Sequence, residues 1–426
     1  MTTVPRSVDF DDCFRSGDEH HTLAEALAQF DTRLATIVGT ERIAARDAQG
    51  RILAEVVIAE RDIPPHDNSA MDGYAVYFDD LSPSEDTILL RGPRIAAGHP
   101  HREPIPRGFA AQIFTGAAMP IGPDTVVMAE DAAEKGGQIV IHPGIKRGAH
   151  IRRAGEDVKR GGVVLRPGLR LRPQDIGMLA SLGKTDIAVH RRLRVAVFST
   201  GDEVHEPGGA LAPGGIFDAN RYTLMALLER LGCSVTDLGI LPDQTIAIRA
   251  SIAAAAEGHD LLLTSGGVSY GGEDRVREAM SELGSVHFWS LATKPGRIVA
   301  LGHVAADARA VPFIGLPGNP VAVVVMFLMV ARPILLRFAG AESVKPVAFR
   351  VPAGFDFVKK SGRREWLRAR LIQSQNGPVA QKFSEDGSGI LSSMVETDGL
   401  IELAEDVTGV ARGDMVDFLP YTELMG

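Results

Sequence analysis

The sequence predicts a multidomain α/β-plus-β protein built on a central three-layer α/β/α domain with a mostly parallel sheet. Three observations carry that expectation. Strand-like and helix-like segments alternate from Arg194 to Ala331, a pattern that gives parallel strands covered by helices on both faces. Ten of the 25 prolines fall between Asp62 and Gly148, among short β-type runs and Gly-rich turns, which suits a small β-rich unit. Beyond Gly340 helical periodicity stops and short alternating segments follow, as in a β-barrel or sandwich of roughly 80 residues.

Taken in order, residues 1–20 read as a loose acidic leader. Thr22 opens a helix with Glu25 three residues on, the spacing of a capping box, and Leu23, Leu27, Phe30, Leu34 and Ile37 recur at helical spacing. Thr87–Leu90, Gln112–Thr115, Thr125–Met128 and Gln138–Ile141 read as the strands of the β-rich stretch, and Asp175–Leu182 as a helix. The α/β pattern then runs strand Val195–Ser199, helix Asn220–Leu231 stopped by Gly232, strand Ser234–Leu241, helix Gln244–Glu257 and strand Leu261–Thr264. It continues with helix Glu273–Leu283 stopped by Gly284, strands near Ile298–Leu301 and Pro312–Leu316, and an apolar helix from Val321. The last unit shows alternation around Val347–Val351, Trp366–Leu371, Leu400–Leu403 and Met415–Phe418.

Composition bounds the function. At roughly 150 residues per domain, the chain holds about three domains. Its net charge of −9 argues against a dedicated nucleic-acid binder, which needs a broad basic face. Cys13 and Cys233 make neither a disulfide framework nor a four-ligand zinc site, so a reducing compartment is expected. Asp9, Asp11, Asp12, Asp18 and Glu19 stand where a signal peptide would have its apolar core. The longest apolar run, Val321–Ala331, is 11 residues and is closed by Arg332 and Pro333, short of the roughly 20 that span a bilayer. No membrane and a cytoplasmic location are expected.

In an open α/β sheet ligands bind outside the carboxyl ends of the strands. The residues there are Thr200-Gly201-Asp202-Glu203, Asp243, the loop Ser265 to Asp274, and Pro317-Gly318-Asn319-Pro320. In the loop Ser265-Gly266-Gly267-Val268-Ser269, glycines let backbone N–H groups face one anion, aided by the next helix's positive end and by the Ser265 and Ser269 hydroxyls. The plainer reading is a tight strand-to-helix turn. Asp243 and Asp274 would repel a phosphate unless a cation such as Mg²⁺ intervened; each alone reads equally as a cap or a solvated acid. Lys294-Pro295-Gly296-Arg297 offers two cations for an oxyanion, or simply two surface charges. Lys146–Arg172 and Arg350–Arg370 carry local excesses of +7 and +5, either basic lips for an anionic ligand or solvated surface. Alternation puts Arg364, Trp366 and Arg368 on one strand face, for which a charged, solvated edge is the plain reading. Asp72-Gly73 reads as a hairpin turn. Neither cysteine lies in a motif, and both are assigned to packing.

Several of these strings, in this order, resemble the molybdopterin molybdenumtransferase family, the MoeA proteins and the E domain of gephyrin. The resemblance rests on Asp67-Asn68-Ser69-Ala70-Met71-Asp72-Gly73-Tyr74-Ala75, Thr115-Gly116, Arg152-Arg153-Ala154-Gly155-Glu156-Asp157, Ser199-Thr200-Gly201-Asp202-Glu203 and Asp218-Ala219-Asn220. It continues through Ser265-Gly266-Gly267-Val268-Ser269 with Asp274, Lys294-Pro295-Gly296 and Leu316-Pro317-Gly318-Asn319-Pro320. It implies transfer of molybdate to adenylylated molybdopterin with Mg²⁺-dependent release of AMP, by a homodimer whose site draws on both subunits. The upstream molybdopterin adenylyltransferase is an implied partner. The implied layout is a leader over 1–20, an elongated α+β linker domain in two parts (21–61 and 149–190), and a β-rich domain inserted over 62–148. A molybdopterin-binding α/β domain over 191–340 and a C-terminal β-barrel over 341–426 complete it.

By position, the resemblance assigns Asp72, Thr115 and Asp157 to the pterin-nucleotide cleft. It assigns Glu203, Asp243 and Asp274 to the metal and the pyrophosphate. Lys294, Arg297, Arg363 and Ser388 fall to oxyanion or molybdate contact. Ser265, Gly266, Gly267, Ser269, Pro317 and Asn319 join them as substrate-binding positions.

The chain departs from the pattern where the family usually shows Lys-Pro-Gly-Lys-Pro and this sequence has Lys294-Pro295-Gly296-Arg297-Ile298. His66, in place of an aromatic residue, and Tyr270–Arg275 also differ. Arg297 and Ile298 motivate one alternative, a divergent paralogue that binds the pterin but uses tungstate or has lost insertion. A partner-binding scaffold and an adenylyltransferase or nucleotide pyrophosphatase using only the α/β domain are the others.

Overall fold

The computed structural model describes residues 10, 14, 22–267, 275–306 and 309–425. The capping box at Thr22 forms: its hydroxyl accepts from Glu25 N at 3.2 Å, and Glu25 Oε2 accepts from Thr22 N at 2.8 Å, opening the helix Leu23–Arg33. The loose leader needs correction at two residues. Phe10 and Phe14 are 5% and 0% exposed. Their rings stand 5.8 Å from Phe338 and 6.2 Å from Phe30, both edge-on, and Trp289 Nε1 donates to Phe14 O at 2.8 Å. The acidic residues around them set the leader's character in sequence; two aromatics one helical turn apart set its anchorage.

The four strands expected of the β-rich stretch lie in one six-stranded sheet. Gly73 is not a turn glycine there. It begins the strand Gly73–Val76, paired on both sides with Ile113 and Met128, and a Cβ would lie 1.9 Å from Val127 O. Close backbone approach, not turn geometry, is what this position requires. The strand Thr40–Ala44 pairs with Asp186–His190, and Asn68–Ser69 with Ile151–Arg152, so the segments flanking this sheet in sequence close on one another. The expected helix at Asp175 runs Pro173–Ser181, with proline in its first turn.

The central unit contains β1 (Arg194–Thr200), α1 (Ala219–Arg230), β2 (Ser234–Leu241), α2 (Thr245–Gly258), β3 (Leu261–Ser265), α3 (Arg275–Leu283), β4 (Gly284–Ser290), β5 (Ile298–Ala306), β6 (Arg309–Leu316) and α4 (Pro320–Phe338). The sheet runs β2-β1-β3-β6-β5-β4, with the first four strands parallel and β5 and β4 added antiparallel. Gly232 ends the region of α1 with φ +90°, as expected. Gly284 follows the last residue of α3, Leu283, as expected, but without a positive φ: it also starts β4, and a Cβ would sit 2.1 Å from His303 O. The helix α4 runs on past Pro333, where the apolar run closes, to Phe338. A π-helical stretch, Phe327–Ala331, precedes the proline and accommodates its missing N–H. At 19 residues α4 has the length and apolarity to span a bilayer, yet 89% of it is buried inside the protein. It packs in one core with Phe30, Trp289, Trp366, Leu400 and Leu419, from three different parts of the chain.

The last unit holds β7 (Phe349–Pro352), β8 (Arg364–Ser374), β9 (Gly377–Lys382), β10 (Gly399–Leu403) and β11 (Met415–Pro420). Its sheet runs β8-β10-β11-β7, with β9 also on β8, and a bridge between Ala353 and Ala380 links the far sides. The two-residue strand Thr293–Lys294 of the central unit joins β8 in parallel. The solvated-edge reading of β8 is corrected: β8 is paired on both sides, and Trp366 and Arg368 are 1% and 5% exposed, Trp366 packed in the α4 core and Arg368 donating to Ser393 Oγ and Glu385 O.

Candidate functional site

The loops after β1, β3 and β6 meet at one sheet edge, as the parallel order requires. They line two adjoining pockets that share Gly266 and Gly318. The larger, about 610 Å³, takes Gly266, Gly267, Pro317 and Asn319 from the sheet edge, Lys294 and Arg297 from the loop between β4 and β5, and Arg363, Asp386 and Ser388 from the last unit. The smaller, about 100 Å³, is lined by Ser199, Thr200, Glu203, Asp218, Asn220 and Ser265.

Local chemistry fixes these walls. Gly266 N donates to Leu316 O at 3.0 Å, tying two strand ends together. Gly267 has φ +63°, and a Cβ would meet Val276 Cγ2 at 2.8 Å. Asn220 Nδ2 donates to Gly318 O at 2.7 Å, and Val321 N to Ser388 O at 3.0 Å, so the start of α4 holds the segment bearing Ser388. Asp218 caps α1 through Arg221 N at 3.1 Å and ion-pairs its guanidinium at 2.9 Å. Arg221 also engages Asp237 and Glu206. The Ser199 hydroxyl oxygen is buried without a hydrogen-bond partner among the described residues, at the wall of the smaller pocket.

The cations are organised by Glu365, 1% exposed. Arg363 donates to its Oε1 from Nε at 2.7 Å, with NH2 at 2.6 Å, and Lys294 Nζ stands 3.5 Å from Oε2. Of the acids assigned to a metal, Asp243 accepts from Thr200 Oγ1 at 3.3 Å and faces Arg275 Nε at 3.6 Å, while Glu203 lines the same pocket as Thr200. Asp274 and Ser269 lie outside the described residues. Among the described residues no three His, Cys, Asp or Glu side chains gather as a metal cluster. Glu203 and Asp243 are carboxylates, the hard-oxygen type of ligand that Mg²⁺ takes when phosphate oxygens supply the rest.

Asp72 and Thr115 meet elsewhere. Thr115 donates to Asp72 Oδ1 from its hydroxyl at 2.7 Å and its N–H at 2.8 Å, and these bonds hold the carboxyl below its ordinary pKa. The strings around them interlock: Gly116 N donates to Ser69 O at 2.8 Å, Ala154 N to Asp67 Oδ1 at 2.9 Å, and Asp157 N to Ile63 O at 3.0 Å. Asp72, Thr115 and Asp157 line neither pocket in this chain. Burial pushes the Cys233 thiol up to about 12, in keeping with packing.

Glu365 and Asp386 are site-forming residues that the sequence did not single out, while Thr200 and Asn220 stood in its strings without a role of their own. Glu365 had a signal, its place two residues after Arg363 in an alternating strand; Asp386 had none.

Comparison with known proteins gives three consecutive family matches. Residues 21–183 match the MoeA N-terminal region (domain I and II), 196–337 a probable molybdopterin binding domain, and 350–421 the MoeA C-terminal region (domain IV). A molybdopterin molybdenumtransferase of Haemophilus influenzae is 38% identical over 408 residues, covering 95% of this chain and 100% of that protein. One from Nostoc sp. is 34% identical, covering 88% of this chain and 87% of that protein. The molybdopterin biosynthesis moeA protein of Pyrococcus horikoshii OT3 superposes with a TM-score of 0.80 at 30% identity, over 95% of this chain and 100% of that one.

Proposed function

The chain belongs to the MoeA family of molybdopterin molybdenumtransferases, and from that premise we infer that it inserts molybdenum in molybdenum cofactor biosynthesis, taking molybdate and adenylylated molybdopterin and releasing AMP. The observation that carries this reading is the pocket in which Lys294, Arg297, Arg363 and Ser388 face the glycine loop Gly266-Gly267. Three cations and a hydroxyl from two units of the chain suit a tetrahedral dianion. The adjoining pocket, with the unpartnered Ser199 hydroxyl, suits the polar pterin-nucleotide end, and the shared Gly266 and Gly318 let the two guests meet.

Glu203 and Asp243, with Asp274, would hold Mg²⁺; when bound, it would neutralise charge growing on the pyrophosphate. The chain's own groups bind and orient: Thr200 steadies Asp243, and Asn220 fixes the loop carrying Gly318. Asp72, Thr115 and Asp157 reach the site from a second copy in a homodimer. The C-terminal sheet, with its Ala353–Ala380 bridge, is read as a small barrel, and the interlocked flanking strands as an elongated unit with the β-rich domain inserted.

The test is AMP release from adenylylated molybdopterin by the purified chain with Mg²⁺, with and without molybdate, beside Asp243→Asn. Molybdate-dependent release that falls by at least about 10²-fold in the variant is the expected outcome. Release indifferent to molybdate would sink the insertion reading. Tungstate in a parallel arm addresses the paralogue reading, since Arg297 and Ile298 both line the oxyanion pocket.

A further inference from the structure

Two of the three cations at the oxyanion pocket are held by one buried acid to which the reading above assigns no part in the reaction. Lys294 belongs to the central unit and Arg363 to the segment entering β8, and the parallel pairing of Lys294 with Glu365 sets them side by side. The Glu365 carboxylate is used unevenly. Its Oε1 takes both bonds from Arg363, while Oε2 is buried with no hydrogen bond among the described residues and the Lys294 ammonium 3.5 Å away. A buried ion pair serving the fold alone does best with both oxygens saturated, because an unsatisfied buried carboxylate is costly. The side chains paired with it are 40% (Lys294) and 34% (Arg363) exposed and line the pocket; the carboxylate itself does not.

We propose that Glu365 is a positioning residue: it holds Lys294 and Arg363 across the junction of the two units in an arrangement that an incoming oxyanion completes. This rests on the pocket being the molybdate site. Without the carboxylate, Lys294 and Arg363 would repel one another in the free enzyme and splay, so the anion would have to gather them. With it, Arg363 is fixed along its Nε–NH2 edge. Lys294, beyond hydrogen-bond reach of Oε2, can turn an N–H toward the anion while keeping its charge partner. Preorganisation of this kind lowers the cost of binding without touching the reacting atoms.

The experiment is a molybdate titration of AMP release by the full-length chain and by Glu365→Gln, whose amide oxygen still accepts from Arg363. KM for molybdate is expected to rise about tenfold with kcat within about twofold, the pattern of lost ground-state and transition-state binding alike. The Kd for adenylylated molybdopterin stays unchanged; the melting midpoint falls, as for any buried ion pair broken on one side, and KM is read at a temperature where both chains are folded. Glu365→Asp, which keeps the charge but draws it back, should raise KM by about threefold; it also stands in if the glutamine variant does not unfold cooperatively. An unchanged KM in these variants overturns the proposal. A lowered KM overturns it too, since the carboxylate would then merely repel the anion. If the wild-type chain itself shows no molybdate-dependent release, the insertion reading fails; if it does and the variants match it, only the role of Glu365 fails.

Discussion

Arg221 is the residue on which the smaller pocket's wall depends. It is 1% exposed and bonds Asp218 at the start of its own helix, Asp237 on β2 and Glu206 beyond β1. Burial works against its charge, yet the Asp218 and Asp237 carboxylates hold its pKa above the ordinary value. Arg221→Met would strand the Asp218 carboxylate, 2% exposed, and should cost about 3–5 kcal/mol in urea unfolding. Asp237→Asn, at a carboxylate 40% exposed, should cost no more than about 1 kcal/mol. Equal losses would mean that burial is not what sets the network's worth. The Asp218–Arg221 spacing is visible in the sequence, but the convergence of Glu206 and Asp237 depends on β1 pairing with β2. The same limit explains Glu365. Alternation says which side chains of a strand share a face, not whether another strand covers it. Lys294 and Arg297 were legible as two cations of one turn, but Arg363 and Ser388 only through the resemblance; no spacing rule links positions so far apart.

At the scale of elements, the loop between β4 and β5 carries the most chemistry on the least structure. Thr293–Lys294 is pinned to β8, and Gly296, with φ +81°, lies so close to α4 that a Cβ would meet Met326 Cγ at 2.6 Å. Gly296→Ala must shift the Met326 side chain or the loop itself, and because Met326 is buried the loop is expected to move, carrying Lys294 and Arg297 together. Strain of about 1–3 kcal/mol is expected in unfolding. Molybdate-dependent AMP release should fall by up to about 10²-fold, because displacements near 1 Å suffice for that. A fall no greater than the loss of folded protein would show that the loop's position is not critical. The sequence anticipated the parallel strands and their helices because a continuous apolar run bounded by glycine is a strong local signal. It missed β4, whose first residue, Gly284, reads only as a helix stop. There a tertiary neighbour decides, the His303 carbonyl beside Gly284.

For the whole molecule, the question is why a chain with one sheet-edge site carries a second group of family residues away from it. Asp72, Thr115 and Asp157 are held by short hydrogen bonds in interlocked segments, yet line neither pocket. A homodimer resolves this if each site takes its cations from one copy and Asp72 from the other, a requirement on closed two-fold symmetry. Co-expression of an Asp72→Asn chain with an Arg363→Ala chain tests it directly. Each homodimer has two damaged sites, whereas a mixed dimer has one site carrying both lesions and one carrying neither. Random pairing makes half the dimers mixed, so about a quarter of wild-type AMP release should return from two individually inactive chains. Were both lesions to act within one chain's own site, every site would stay damaged and no activity would return. Recovery would also fix the direction of the contact: the β-rich sheet of one copy must face the carboxyl edge of the central sheet of the other, which makes the cleft between subunits, not either pocket alone, the unit that recognises the pterin.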